Sequence, residues 1–486
     1  MGLYIRRGFS KCSDEGYNIC RAVEIVPISR VPRRIAEDMK QVVTGSALAA
    51  PTDAARPRFL FLVVALMVGS SFYVVREPAP CDLLFVVLCL IAPFHRGFPT
   101  AFDLNPVLAL SLAAFIVGNI ASLLSASASR SIQLETGESL LYMAVTFYLV
   151  LYWYVITSLI RGYGLAIIKV IRGGFIFAAC AATVVGLIVQ MGLLPSDFLG
   201  LDANRDRIAG SFKDANVYAP FLSAAVIWLA SDMINRVKFS LVDGILLCFL
   251  LIGIVGALSR GAFVNLIGSF CVLLILRMLI SLRVRWLKRI FVMIFLVGVL
   301  AIPVAGLYLS GERGELFERR LQLQKYDTTR FAVQVETVRQ IPQFPLGVGP
   351  GQSQQILPQN PHNLYLMVML ENGLMGGLGL IFFLMTCAWI CLSGVLRRGA
   401  YASLYACCLA ILAGTLVNSL VIDSLHWRHF YIFLAIPVGL DRLERAQARL
   451  ARSQRGRTEI SGAAARPQRR RPRRLAPSSD PAGLAH

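Results

Sequence analysis

The sequence predicts an all-α polytopic membrane protein with about twelve transmembrane helices and one large loop on the outer face. Three observations carry that prediction. The 486 residues are 56% hydrophobic with a mean hydropathy of +0.64, far more apolar than a soluble average. The apolar residues gather into runs that reach or approach the ~20 residues needed to cross hydrocarbon. The basic residues then sort by side. With the N-terminus placed in the cytoplasm, 35 of the 48 Lys and Arg fall on the inner side, leaving 13 outside. Each inner loop is short and still holds the excess, which is the positive-inside signature.

Residues 1–58 form a basic cytoplasmic tail without a signal-peptide apolar region. Its segment IVPISRVPRRIAEDMKQVV suits a basic amphipathic helix on the membrane surface. Nine spans follow at 59–75, 80–94, 104–124, 138–160, 170–194, 217–232, 241–258, 261–280 and 290–309. The second is short and bounded by Pro80 and Pro93. Between the seventh and eighth, Ser259-Arg260-Gly261 is the only polar punctuation, and an unbroken helix would be too long, so a tight turn falls at Arg260.

The loop 310–361 is the one long hydrophilic interruption. Phe331, Val335, Val338 and Ile341 fall at helical spacing, which predicts an amphipathic helix over 328–341 resting on the membrane domain. A second helix fits 312–325. PQFPLGVGPGQ is a turn-rich ligand or docking loop, and it is no P-loop because no Gly-Lys-Ser/Thr follows. The last spans are 362–393, 401–420 and 427–441. From Arg442 to His486 the chain reads as a disordered basic cytoplasmic tail.

The net charge of +20 invites a nucleic-acid reading, but its distribution follows membrane topology, so no nucleic-acid partner is expected. Anionic membrane lipids are the simplest partner for the tails. Nine of the eleven cysteines sit in or at the ends of spans and two, Cys12 and Cys20, in the inner tail. With none in the outer loops, no disulfide framework is expected.

The outer face collects a few cations near span ends: Arg205, Arg207 and Lys213, then Arg260, Arg330 and the DSLHWRHF segment with Asp423, His426, Arg428 and His429. An arginine at membrane depth costs at least ~2.5 kcal/mol, so Arg260 is either a loop residue snorkelling to the interface or part of an anion site. Two arginines at a desolvated site bind phosphoryl oxygens bidentately and stay charged. His362, in Pro361-His362-Asn363, either fills a helix start or acts as a base, since the helix N-terminus disfavours its protonation. Asn363 would fix its tautomer or touch ligand. His362, His426, His429 and Asp423 lack a metal-site spacing, so no metal and no cofactor are expected. Glu371, inside the tenth span, reads as a structural polar contact.

Taken together, R-x-x-G-S-F-x-D-A-N at Arg207–Asn216, S-R-G-A at 259–262, and P-L-G-V-G-P-G followed by H-N-L-Y-L and E-N-G-L-M-G resemble the O-antigen ligase and polymerase superfamily, which includes exopolysaccharide polymerases. The resemblance implies a GT-C-like membrane glycosyltransferase in the bacterial inner membrane, with the large loop in the periplasm. It implies a glycan donor on undecaprenyl pyrophosphate, an acceptor hydroxyl on lipid A-core or on a second lipid-linked glycan, and transfer with inversion and without metal. Arg207 and Arg260 would hold the pyrophosphate, and His362 would accept or orient the hydroxyl proton. Arg330, Gly349 and Gly351 would shape the donor or acceptor site, with Asn216 and Asn363 beside them, and Asp327 and the Asp423/His426 pair as lesser candidates. A transporter or flippase for lipid-linked glycans or solutes competes. Against it, the long loop separates no two similar halves, and the ionisable groups cluster at the outer face instead of the midplane.

Overall fold

The computed structural model describes residues 3–6, 24–27, 57–75, 77–95, 97–99, 103–129, 135–193, 207–236, 240–280, 310–322 and 325–464, with isolated residues between 288 and 306. The chain divides into two compact units, Met1–Arg58 and Phe59–His486. In the first, strand β1 (Leu3–Arg6) pairs antiparallel with β2 (Glu24–Pro27), Tyr4 opposite Val26 and Ile5 opposite Ile25. This corrects the start of the expected amphipathic helix: β-branched Ile25 and Val26 favour an extended pairing over a helix opening. The remainder of that helix lies outside the described residues.

The second unit is an all-α polytopic membrane domain. It begins with α1 (Arg58–Gly69), α2 (Pro80–Ile91), α3 (Pro106–Ala128), α4 (Thr136–Tyr163), α5 (Leu165–Gln190), α6 (Ala215–Asn235), α7 (Leu241–Gly256) and α8 (Arg260–Ile280). The polar loop contributes α9 (Glu312–Leu321) and α10 (Lys325–Gln340). Then come α11 (Leu364–Glu371), α12 (Gly373–Leu396), α13 (Ala402–Asn418) and α14 (Arg428–Ala464). Six of these, α3, α4, α5, α6, α8 and α12, are long and apolar enough to cross a membrane, and α1, α2, α7 and α13 are shorter apolar helices. The expected ninth span lies almost wholly outside the described residues. α6 is the central helix, with 89% of its apolar window buried inside the protein.

Local chemistry sets the boundaries. Asn105 caps α3 through Val107 N–H (3.0 Å) with Pro106 at its first position. Asp214 caps α6 through Asn216 N–H (2.9 Å), and Ser240 caps α7 through Asp243 N–H (3.2 Å). The turn between α7 and α8 falls at Ala257–Ser259, so Arg260 opens α8. α14 continues past the expected end of the twelfth span and keeps 442–464 helical. Arg397 explains the stretch nearest the membrane, since it reaches Asp441 (3.4 Å) and Glu444 (2.9 Å) across from α12.

The expected tenth span is two helices, broken at Asn372. Gly373 adopts a left-handed φ of +69°, and a Cβ there would lie 2.6–2.7 Å from the Pro345 and Leu346 backbone. The loop after α10 fills the break. Val348 N–H donates to Leu370 O (3.0 Å), Gly349 N–H to Glu371 O (3.1 Å) and Leu374 N–H to Pro345 O (3.0 Å). The Glu371 carboxylate accepts from Gly351 N–H (3.0 Å) and Ser353 N–H (3.4 Å), and Ser122 on α3 donates to its carbonyl. Glu371 therefore has the structural role expected of it.

The loop helix α10 corrects another expectation. Val333, Thr337 and Ile341 are buried, whereas Phe331, Val335 and Val338 point outward. The residues it packs on, Val348, Leu357, Leu370 and Ala126, form a small satellite core. Nine cysteines are free among the described residues, and Cys271 is exposed instead of core.

α3 and α12 cross closely because both present glycine at the contact. A Cβ on Gly118 would run into the Gly376 backbone, and one on Gly379 would meet Phe115 N at 2.5 Å. Gly118→Leu is expected to cost at least about 1–3 kcal/mol by overpacking, read as a lower unfolding temperature of the detergent-solubilised protein. Gly268→Leu, at a site with nothing within 4 Å of its Cβ, should leave that temperature almost unchanged.

Candidate active site

The α6 N-terminus, the α7–α8 turn, the start of α10, the approach to α11 and the α13–α14 loop enclose one cavity of about 820 Å³. Arg207, Asn216, Arg260, Arg330 and His362 all line it, together with Asp214, Asp327 and Asp423. Five residues picked from sequence segments up to 155 positions apart thus meet in one space.

Arg207 lies across the end of α7. Its Nε donates to Ala257 O (2.8 Å) and its Nη2 to Asn216 Oδ1 (2.8 Å). Ser259 Oγ donates to the same Oδ1 (2.9 Å), and Asn216 Nδ2 donates to Asp214 Oδ2 (3.2 Å). A cation at a helix C-terminus is favoured by the macrodipole, so the guanidinium is held in place before any ligand arrives. Asn216 acts here as its anchor. Arg260 is held differently: Nη2 donates to both Asp327 oxygens (2.7 and 2.8 Å) and Nη1 to Gln322 O (3.1 Å). That ion pair docks the start of α10 onto the start of α8. Arg330 follows Asp327 by one turn and brings a third guanidinium to the wall.

His362 precedes α11 with a left-handed φ of +49°, unusual for a residue with a side chain. Burial lowers the basicity of its ring and the Arg330 charge lowers it further, with Asp214 opposing. The imidazole is therefore neutral at pH 7. Asp423 accepts from Leu425 N–H through Oδ1 (2.8 Å), and burial pushes its carboxyl up to about 6. Three arginines and three aspartates thus share the cavity. The site is not uniformly basic: an anion there meets Arg207 and Arg330 and shares Arg260 with Asp327.

The remaining sequence candidates are placed elsewhere. Asn363 is the N-cap of α11, accepting from Tyr365 and Leu366 N–H (3.1 and 3.2 Å) and donating to Leu420 O (3.0 Å). Gly349 and Gly351 sit in the clasp around Glu371 and do not line the cavity. His426 and His429 line a second cavity of about 190 Å³, which shares Val217 with the first. His426 Nε2 contacts Thr146 Oγ1 (3.0 Å), and His429 stacks on Trp427. Among the described residues no three His, Cys, Asp or Glu side chains gather as metal ligands.

The sequence reading missed Asp82. Arg428 donates to it through Nε and Nη2 (2.7 Å each), Tyr148 Oη donates to Oδ1 (2.7 Å) and Ala79 N–H to Oδ2 (2.8 Å). A lone acid in an apolar span and a lone arginine opening another were the available signal. The pair fixes the start of α14, and with it the α13–α14 loop that carries Asp423. Asp82→Ala leaves the Arg428 charge buried without its partner, at an expected cost of about 3–5 kcal/mol. A thermal-shift measurement should show that loss, and adding Arg428→Met should recover much of it.

Compared with known proteins, residues 245–381 match the family model described as O-antigen ligase. The match runs from α7 into α12 and includes Arg260, Arg330 and His362. It supports the O-antigen ligase and polymerase superfamily. No curated protein matches the chain.

Proposed function

We propose that this protein is a membrane glycosyltransferase that moves a glycan from undecaprenyl pyrophosphate to an acceptor hydroxyl during assembly of cell-surface polysaccharide. It acts as an O-antigen ligase or as an O-antigen or exopolysaccharide polymerase, in the inner membrane, with the cavity open to the periplasm and both termini cytoplasmic. The observation that carries this reading is the meeting of Arg207, Arg260, Arg330 and a neutral His362 in one cavity, in a chain whose 245–381 segment matches the O-antigen ligase family.

In this reading the donor pyrophosphate lies against Arg207 and Arg330, and competes with Asp327 for Arg260. The acceptor hydroxyl oxygen attacks the anomeric carbon and its proton passes to a ring nitrogen of His362. The bond from that carbon to the pyrophosphate oxygen breaks, and the electron pair leaves with the pyrophosphate. Guanidinium groups aimed at the leaving oxygens stabilise the charge that develops there, the work a divalent ion does elsewhere. Attack opposite the leaving group inverts the anomeric centre. The acceptor is lipid A-core or a second lipid-linked glycan.

His362→Ala should abolish transfer while the protein still inserts and accumulates. In a deletion strain carrying that variant, full-length glycan on the lipid carrier with bare lipid A-core identifies a ligase. Single repeat units on the carrier with short or missing polymer identify a polymerase. Near-wild-type turnover would remove His362 from the mechanism, and unchanged glycans in the deletion strain itself would remove the glycosyltransferase reading.

The acid limb of the rate carries a second expectation. A base whose folded value is lowered stays unprotonated to lower pH than free imidazole, whose ordinary value is about 6.5. The acid limb of activity should therefore be centred below pH 6.5 as His362 protonates. A kcat/KM profile with its acid limb centred above 6.5 would contradict the assignment.

A further inference from the structure

α10 exposes an apolar stripe beside a buried face that is only partly apolar. The protein-facing side carries Asp327, Gln334 and Thr337 beside Val333, with Thr337 fully buried and Gln334 Nε2 donating to Leu420 O (3.2 Å). Three apolar side chains face away: Phe331, Val335 and Val338 are each 54% exposed, against 4% for Val333 and 9% for Ile341 just beyond the helix. At 3.6 residues per turn, 331, 335 and 338 form one narrow stripe. Glu336 and Arg339, paired at 3.5 Å and solvent-accessible, lie on a separate face. The helix therefore has three sides, roughly a third of a turn apart: one against protein, one polar and one apolar.

A three-sided pattern of this kind fits the junction of protein, water and hydrocarbon. The apolar stripe does not stand alone. Phe331 belongs to the wall of the large cavity, whose rim also includes the half-exposed Val264, Val417 and Val421. Val264 lies on α8, a helix long and apolar enough to cross the membrane. Through Phe331 the stripe thus reaches the same cavity lining as exposed Val264 on a helix able to span the membrane.

We propose that α10 is an interfacial helix whose Phe331, Val335 and Val338 insert into the acyl boundary of the adjacent leaflet, which sets the mouth of the large cavity at headgroup depth instead of in open water. The occupant of the exposed face is the bilayer. Neither glycosyl transfer nor the identity of any substrate is needed for this inference. A large exposed apolar patch beside spanning helices is the expected mark of a membrane contact.

The test uses the full-length protein in phosphatidylcholine nanodiscs, with an environment-sensitive fluorescent noncanonical amino acid placed singly at 335, 338 or 339. Probes at 335 and 338 should be quenched at least about two-fold more by acyl-chain-brominated phosphatidylcholine than the probe at 339. Aqueous iodide should reverse that order. Equal iodide quenching at 335 and 339, with no effect of the brominated lipid, would overturn the proposal. Protection of 335 and 338 from both quenchers would overturn it as well, because a second copy or another protein would then cover the stripe.

Discussion

The geometry of the cavity end of the membrane domain depends on one constraint: the break between α11 and α12 must be filled by backbone from the preceding loop. A helix interrupted inside a membrane domain exposes amide and carbonyl groups that have no water to meet. Here Val348, Gly349 and Gly351 supply donors, and the Leu370 and Glu371 carbonyls with the Glu371 carboxylate supply acceptors. Gly347 must be glycine for this, since its φ is +92° and a Cβ would strike the Glu371 carbonyl and Ser122 Oγ. Satisfying the break pins the loop from 345 to 353, which limits where Pro361 and His362 can go.

From that anchor the cavity assembles by three separate ties. Arg260 and Asp327 hold α10 to α8; Arg207, Asn216 and Ser259 hold the approach to α6 against the end of α7; Asn363 and Leu420 hold the start of α11 to the α13–α14 loop. Each tie uses a charged or amide group whose partner comes from a distant segment. The opposite ends of α6 and α7 carry their own network, in which Arg172 reaches Asp232 and Arg236 reaches Asp243. Both ends of α6 are thus tied by polar contacts, while its apolar middle is buried in the protein core.

The electrostatics follow from the same ties. Arg207 is oriented by the Ala257 carbonyl and the Asn216 side chain, whereas Arg260 is held by the Asp327 carboxylate. Their roles toward an anion are therefore unequal, although from sequence they look alike. Arg330 contributes twice, as a cation on the wall and as the charge that helps to keep His362 neutral.

The sequence by itself determined the membrane class and most span positions, and it placed a turn at Arg260 and two helices in the polar loop. These were legible because hydrophobic runs of spanning length and charges at membrane depth are costly enough to leave a local mark. Arg207, Asn216, Arg260, Arg330 and His362 were grouped through motif resemblance, and the fold brings them to one cavity. Tertiary structure alone decided which side of α10 faces protein, since a stripe of apolar residues does not say whether protein or lipid will cover it. It also decided that Gly349, Gly351 and Asn363 satisfy backbone instead of lining the cavity, and that Arg428 is matched by Asp82, 346 residues away. Partner choice between distant polar groups has no local signature, because the free energy of each contact appears only once packing has excluded water from both members.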